Sequence, residues 1–140
     1  MPVRDNPEPA IPPQVALKLV RFWYLLGVLM LIVVGALSLL PMPEVGVSDK
    51  LSHVVTYVFL AGWFSLLAPD WRALAATVIG LMAYGILLEL LQGMTTYRYL
   101  EWADMVANGS GIVIGALFYF TPLTRVLALV DRKLARLLSR

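Results

Sequence analysis

The side chains of this sequence that could do chemistry form three short polar groups in a chain that is otherwise largely apolar. They are, in chain order, Asp49, Lys50 and His53, then Glu89 and Gln92, then Arg98, Asp104 and Asn108. Lysine, histidine and arginine can donate hydrogen bonds to a phosphate or carboxylate, and arginine can make two in parallel. The acids can balance those charges, or they can accept hydrogen bonds from hydroxyl and amino groups. These eight residues are therefore candidates for binding a polar, anionic ligand.

His53 allows an enzymatic interpretation of the same groups. An imidazole could act as a general base or a phosphate nucleophile. Glu89 or Asp104 could orient it, while Arg98 stabilises developing negative charge. The sequence has no HxxxH, HExxH or nucleophile-elbow pattern, so the catalytic roles of His53, Glu89 and Asp104 are left open. The lone histidine and three acids could in principle hold a divalent cation, but no ligand spacing supports it, and we predict neither a metal nor another cofactor.

A purely structural interpretation stands beside these two. Asp104 could pair with Lys50 or Arg98, and Glu89 could pair with His53. Such ion pairs would hold neighbouring helices in register, and removing one partner would leave a charge unpaired. The joint presence of a lysine, a histidine, an arginine and three acids favours a function, because register alone needs fewer charges.

The elements that position these groups are four apolar stretches. Hydrophobic residues make up 60% of the 140 residues and charged residues 14%, against about 25% charged in soluble domains. The stretches run from Phe22 to Leu40, Leu51 to Ala68, Ala73 to Gln92 and Asp104 to Phe120. The first, an uninterrupted apolar run of 19 residues, is long enough to cross about 30 Å of hydrocarbon as a helix. The predicted fold is all-α: a polytopic membrane protein with a bundle of four transmembrane helices and a C-terminal amphipathic interfacial helix.

The distribution of lysine and arginine predicts the orientation in the membrane. Nine of them lie in the two terminal segments and the second connection, and only Lys50 and Arg98 lie in the first and third connections. This bias predicts that both termini are cytoplasmic. The three polar groups then converge at the outer end of the bundle, where Glu101 is expected to be solvated. The net charge of +2 reflects this topology and gives no reason to expect a nucleic-acid partner.

The chain divides into three predicted segments. Residues 1–19 form a cytoplasmic, proline-rich tail, residues 20–121 the transmembrane bundle, and residues 122–140 a basic amphipathic cytoplasmic helix on the inner leaflet. The apolar face of that helix consists of Val126, Val130, Leu134, Leu137 and Leu138. Trp23, near a span end, is expected to anchor the chain at the membrane interface.

Three glycines are predicted to pack helices closely. Gly111 and Gly115 form a small-xxx-small pattern. Asn108 lies one helical turn before Gly111 on the same face, and Asp104 lies two turns before it. Gly85 lies one turn before Glu89 on the third stretch. These glycines should carry the polar side chains into the interior of the bundle.

The polar pattern as a set resembles the VanZ-like family of small bacterial membrane proteins. The similarity covers residues 44–119: a DKxxH group at residues 49–53, an ExxQ group at residues 89–92, an arginine at 98, and a DxxxNxxGxxxG pattern at residues 104–115. The resemblance implies a role in the cell envelope, with an effect on susceptibility to glycopeptide antibiotics such as teicoplanin. It carries no settled biochemical activity.

These observations combine into one functional prediction. We expect a protein of the bacterial cytoplasmic (inner) membrane that binds or handles an anionic lipid or a lipid-linked cell-wall or polysaccharide precursor at the outer leaflet. It could also form a homo-oligomer or bind an envelope-biogenesis partner. The alternatives are a membrane-embedded lipid phosphatase or transferase, and a proton-coupled transporter subunit with Glu89 and Asp104 as relay carboxylates.

Overall fold

The computed structural model of the chain describes residues 16–41 and 48–139. Within these two ranges the chain is helical and has no β-strand, which confirms the predicted all-helical fold. The α-helices are α1 (Val20–Ser38), α2 (Asp49–Leu67), α3 (Trp71–Gly93), α4 (Trp102–Ala116) and α5 (Leu123–Leu138), and a 3₁₀ helix, Leu117–Phe120, continues α4. Four helices, with the 3₁₀ turn counted as part of α4, are long and apolar enough to cross a membrane.

The first four helices each begin two residues before the predicted apolar stretch. Apolar runs mark the part of a helix that avoids water, whereas the first turn carries free N–H groups and accepts polar residues. At α3, for example, the Asp70 carboxylate accepts a hydrogen bond of 2.8 Å from the Ala73 amide. Helix α1 ends at Ser38, short of the predicted Leu40, because Pro41 disfavours helical backbone in the residue before it.

Helices α2 and α4 run parallel and form the tightest contact in the bundle. A Cβ atom at Gly111 would lie 2.5 Å from the Val54 carbonyl oxygen, and one at Gly115 would lie 2.5 Å from that of Val58. No other residue type fits, since the neighbour at both positions is backbone that cannot turn aside. The predicted packing role of Gly111 and Gly115 is confirmed. Their phase places the first turn of α2 beside the first turn of α4.

Helices α1 and α3 pack around this pair. A Cβ atom at Gly85 of α3 would lie 3.0 Å from the Tyr57 hydroxyl oxygen of α2, so the predicted close packing at Gly85 is also present. The Tyr84 hydroxyl donates a 2.6 Å hydrogen bond to the Leu31 carbonyl oxygen of α1. The buried core between the helices consists of Tyr57, Leu60, Ala61, Leu81 and Ile112.

Helix α5 is fastened to the start of α1 through Asp131, which has no solvent exposure. The carboxylate accepts hydrogen bonds from the Lys18 and Leu19 amides, at 2.6 and 2.9 Å, and from the Trp23 indole at 2.8 Å. It thus satisfies the backbone amides of the two residues that precede α1, where α1 has no capping side chain of its own. Trp23 is only 7% exposed. The expectation that it anchors the chain at a membrane interface is therefore wrong, because a buried carboxylate holds its polar end inside the protein.

The predicted C-terminal helix is present, and its position on a membrane stays a prediction. Its buried residues are Ala128 and Asp131, whereas Val126, Val130, Leu137 and Leu138 of the predicted apolar face are about half or more exposed. The described residues therefore leave that face largely uncovered. The predicted tail of residues 1–19 falls mostly outside the described residues, which start at residue 16.

Candidate functional site

The polar residues singled out from the sequence meet at one end of the bundle. Asp49 and Asp104 lie in the first turns of α2 and α4, and Glu89 lies near the end of α3. Because α2 and α4 run parallel, both helix N-termini point to this end, where their dipoles favour carboxylates. We call the following residues the polar cluster: Asp49, Lys50, His53, Glu89, Arg98, Asp104 and Asn108. The predicted convergence is confirmed, while the ligand-binding role of the residues stays a prediction.

His53 lies at the centre of the polar cluster, with its side chain 13% exposed. Nδ1 lies 2.9 Å from the Asn108 amide oxygen and 3.6 Å from Glu89 Oε1. On the other side of the ring, Nε2 lies 3.9 Å from a carboxylate oxygen of Asp49 and 3.9 Å from one of Asp104. The imidazole therefore contacts residues from three helices. The predicted pairing of Glu89 with His53 is present.

Lys50 forms the outer side of the polar cluster. Its ammonium group donates a 2.9 Å hydrogen bond to Glu101 and lies 3.6 Å from Asp104 Oδ1. The pairing with Asp104 matches the structural interpretation of the sequence. Glu101 is half exposed, as expected for a solvated residue, yet it also binds Lys50. Water screens a pair this exposed, so it orients Lys50 more than it stabilises the fold.

Arg98 reaches the polar cluster from the connection between α3 and α4. Its guanidinium Nη2 donates a 3.0 Å hydrogen bond to Asp49 Oδ2, so it pairs with Asp49 and not with Asp104. The Arg98 side chain is 20% exposed and that of Asp49 is 55% exposed. Tyr97, next to Arg98, donates a 2.6 Å hydrogen bond to the Leu39 carbonyl oxygen and holds this connection against the end of α1.

Gln92 has a different environment from the other candidates. Its amide nitrogen donates to the backbone oxygen of Ser38 at 2.9 Å and to the Ser38 hydroxyl oxygen at 2.8 Å. Gln92 therefore joins the ends of α3 and α1, while its side chain still lines the cavity described next. Ser38 was not singled out from the sequence, because a serine at a helix end has no distinctive pattern.

Several buried polar atoms of the site have no hydrogen-bond partner among the described residues. They are both carboxylate oxygens of Glu89, Oδ1 of Asp104 and the Tyr57 hydroxyl oxygen. Glu89 is 1% exposed and Asp104 3% exposed. Each buried polar group left without a partner costs about 1–3 kcal/mol, and more when it is charged. Polar atoms kept at this cost are typical of a site that binds something.

A cavity of about 190 Å³ opens beside His53. Its lining includes the polar residues His53, Glu89, Arg98 and Asn108 and the apolar residues Val34, Leu37 and Leu88. A second cavity of about 380 Å³, lined mainly by polar groups, lies on the outer side of the cluster. Asp49 and Arg98 line both cavities, so their ion pair stands between them.

Comparisons of the chain with protein-family models, with curated proteins and with solved structures find no match. Only the geometry of the site therefore indicates its chemistry.

Two features had no signal in the sequence. Asp131 lies among basic residues of α5 and looks like a solvated acid, and its partners are more than 100 residues away. The grouping of Asp49, His53 and Asp104 spans two helices, so spacing along the chain does not reveal it.

Proposed function

We propose that this chain is a multi-pass protein of the bacterial cytoplasmic membrane, and that it binds an anionic lipid or a lipid-linked envelope precursor at the outer leaflet. The observation that carries this proposal is the cavity beside His53, whose lining combines polar and apolar residues. An amphipathic molecule needs both: hydrogen-bonding groups for its head and an apolar wall for its chain. Four helices long and apolar enough to cross a membrane support the proposal that lipid reaches this cavity.

Arg98 is the group we expect to bind the anion. Its only partner among the described residues is Asp49, which is about half exposed and can turn toward water. The guanidinium would then be free to make two parallel hydrogen bonds to a phosphate. Lys50 is similarly held by the exposed Glu101 and can follow the head group as a second positive charge.

The orientation and the envelope role are part of the proposal. The lysine and arginine distribution supports cytoplasmic termini, which places the polar cluster at the outer leaflet. The exposed apolar face of α5 would lie on the inner leaflet. The resemblance of the polar cluster to the VanZ-like family supports a role in the envelope and an effect on glycopeptide susceptibility.

Native mass spectrometry of the full chain, purified in mild detergent, tests the proposal. We expect a retained phosphate-bearing lipid whose occupancy falls at least tenfold in Arg98→Ala, since a lost charge-assisted hydrogen bond costs about 1.5–3 kcal/mol. Arg72→Ala is the matched control, because Arg72 is an exposed arginine at the start of α3, at the opposite end of the bundle, over the Trp71 ring. Equal lipid occupancy in both variants would refute lipid binding at Arg98.

A second candidate is a lipid phosphatase or transferase. It is favoured by the position of His53, whose two nitrogens face Glu89 on one side and Asp104 on the other, at the edge of the cavity. In that case His53→Gln abolishes turnover of a phosphate-bearing lipid in reconstituted vesicles and leaves lipid retention intact. A binding protein shows no turnover that depends on His53.

A further inference from the structure

His53 Nε2 faces two carboxylates without forming a hydrogen bond to either. It lies 3.9 Å from Asp49 Oδ2 and from Asp104 Oδ2, whereas an N–H···O bond spans about 2.7–3.2 Å. One ligand atom from each of these three side chains can be chosen so that all lie within 4.8 Å of one another. Three atoms at these separations surround a point about 2.5 Å or less from each. Bonds from Zn²⁺ to nitrogen and oxygen are about 2.0–2.2 Å long, so small rotations of the three side chains bring them to bonding distance.

Asn108 sets the orientation of the imidazole. Its amide oxygen lies 2.9 Å from Nδ1, so it accepts a hydrogen bond if Nδ1 carries the proton. In the neutral ring, Nε2 then presents a lone pair toward the two carboxylates. Histidines that bind metals characteristically donate their other N–H group to an oxygen in this way. The arrangement around His53 therefore places one nitrogen and two oxygen lone pairs around one point.

The charges around His53 leave room for a cation. The described end of the bundle holds four acids, Asp49, Glu89, Glu101 and Asp104, against the two bases Lys50 and Arg98. Glu89, which is almost fully buried, has no hydrogen-bond partner within residues 16–41 and 48–139 for either oxygen, and its Oε1 lies 3.6 Å from the His53 ring. With all four acids ionised, the excess of two negative charges equals the charge of one divalent ion. Carboxylates buried without such compensation are strongly disfavoured.

We propose that Asp49, His53 and Asp104 bind one divalent metal ion. One imidazole and two carboxylates suit Zn²⁺, Mn²⁺ or Fe²⁺, whereas Mg²⁺ and Ca²⁺ prefer oxygen ligands alone. Asp49 and His53 line the cavity beside His53, and Asp104 lines the second cavity. The remaining coordination positions of the metal ion are therefore open to a ligand from either cavity. If the proposed lipid binding is right, a phosphate oxygen of the head group takes one of these positions. Metal binding itself does not depend on the lipid.

Mn²⁺ binding followed by electron paramagnetic resonance tests this site. The chain has a single histidine and no cysteine, so ¹⁴N coupling of an imidazole to bound Mn²⁺ identifies His53 without ambiguity. The full chain is purified with a tag that contains no histidine. We expect one bound Mn²⁺ per chain, with imidazole ¹⁴N coupling that is absent in His53→Gln. Absence of saturable binding up to millimolar Mn²⁺, or bound Mn²⁺ without this coupling in the wild-type chain, would overturn the proposal.

Single substitutions distinguish the proposed metal ligands from neighbouring residues that do not bind the metal. Asp104→Asn and His53→Gln should weaken Mn²⁺ binding more than tenfold, and Asn108→Ala, which frees the ring, also by about tenfold. Glu101→Gln is the matched control, since it removes one acid from the same end of the bundle without removing a ligand, and it should change the affinity less than threefold. Equal weakening by Glu101→Gln would mean that Mn²⁺ responds only to overall charge, and the site would be refuted.

The wild-type spectrum alone decides the question if a variant does not fold. Removing the metal with a chelator before native mass spectrometry separates this inference from the proposed function. Imidazole-bound Mn²⁺ in a protein that retains no lipid would support the metal site and refute lipid binding. A protein that retains lipid through Arg98 but binds no Mn²⁺ would support lipid binding and refute the metal site.

Discussion

Replacing Asp131 should uncouple α5 from the start of α1. The carboxylate is inaccessible to solvent and accepts three hydrogen bonds, two from the Lys18 and Leu19 amides and one from the Trp23 indole. Oδ1 accepts from Leu19 and Trp23, and Oδ2 from Lys18. Substitution by asparagine or by alanine should therefore remove different numbers of these hydrogen bonds. Asparagine retains an acceptor at Oδ1, whereas alanine removes all three bonds.

The magnitude follows from these contacts. Leaving a buried donor without a partner costs about 1–3 kcal/mol. Asp131→Ala strands the Trp23 indole and two amides at a helix start, so we expect a loss of about 3–5 kcal/mol in the free energy of unfolding. Asp131→Asn keeps the two bonds at Oδ1 and sets an amide N–H₂ group against the Lys18 amide, so we expect a loss of about 1–2 kcal/mol.

Reversible unfolding in mixed detergent micelles, followed by tryptophan fluorescence, measures both variants. Trp23 should report the change directly, because its indole loses a hydrogen bond only in the alanine variant. Arg132→Ala, one residue along on the exposed side of α5, is the matched control and should change the unfolding free energy by less than 0.5 kcal/mol. A loss below about 1 kcal/mol in Asp131→Ala, or equal losses in the two Asp131 variants, would refute the capping role.

The same contact predicts a dependence on pH. Burial alone would raise the pKa of Asp131, but the hydrogen bonds from Trp23, Lys18 and Leu19, with the nearby Lys18 charge, outweigh it and lower the pKa below 3.8. Because the folded pKa is the lower one, the stabilisation is complete above the unfolded pKa and is lost as the pH falls through the folded pKa. The stability difference between the wild type and Asp131→Asn should therefore be constant near neutral pH and shrink below about pH 4.

Two further predictions concern packing and orientation. Gly111→Ala would put a Cβ atom 2.5 Å from the Val54 carbonyl oxygen, so the unfolding free energy should fall by about 1–3 kcal/mol. A Cβ atom at Gly80 has no described atom within 4 Å, so Gly80→Ala should leave the unfolding free energy unchanged or raise it by up to about 1 kcal/mol. Equal effects of the two substitutions would contradict the α2–α4 contact. A membrane-impermeant thiol reagent applied to intact cells should label Met94→Cys and miss Ser139→Cys, and the opposite pattern would reverse the proposed orientation.

The sequence predicted those parts of the fold that depend on local patterns. The four apolar stretches located four helices to within a few residues, and the phase of Gly111 and Gly115 with Asp104 and Asn108 predicted which face of α4 is packed. The convergence of the polar cluster followed from one further assumption, that alternate spans return to the same side. In the structure, α2 and α4 are parallel and their first turns lie side by side.

Contacts between distant residues could not be predicted in the same way. Asp131 contacts residues 108 to 113 positions away, and nothing in its neighbourhood along α5 distinguishes it from a solvated acid. For the same reason Trp23 resembled an interface anchor, since its burial depends on that distant carboxylate. The choice of Asp49 as the partner of Arg98 depends on how the α3–α4 connection folds back, and composition and spacing leave that open.

Photo-crosslinking in native membranes tests the central claim most directly: that the cavity beside His53 holds the head of a particular lipid. A benzophenone side chain would replace Leu37, which lines the cavity, or Leu25, a similarly exposed leucine near the opposite end of α1. We predict a phosphate-bearing lipid or precursor that is enriched in adducts at Leu37 over Leu25 and is lost from Leu37 in Arg98→Ala. The same bulk phospholipids at both positions, unchanged by Arg98→Ala, would contradict the proposed function.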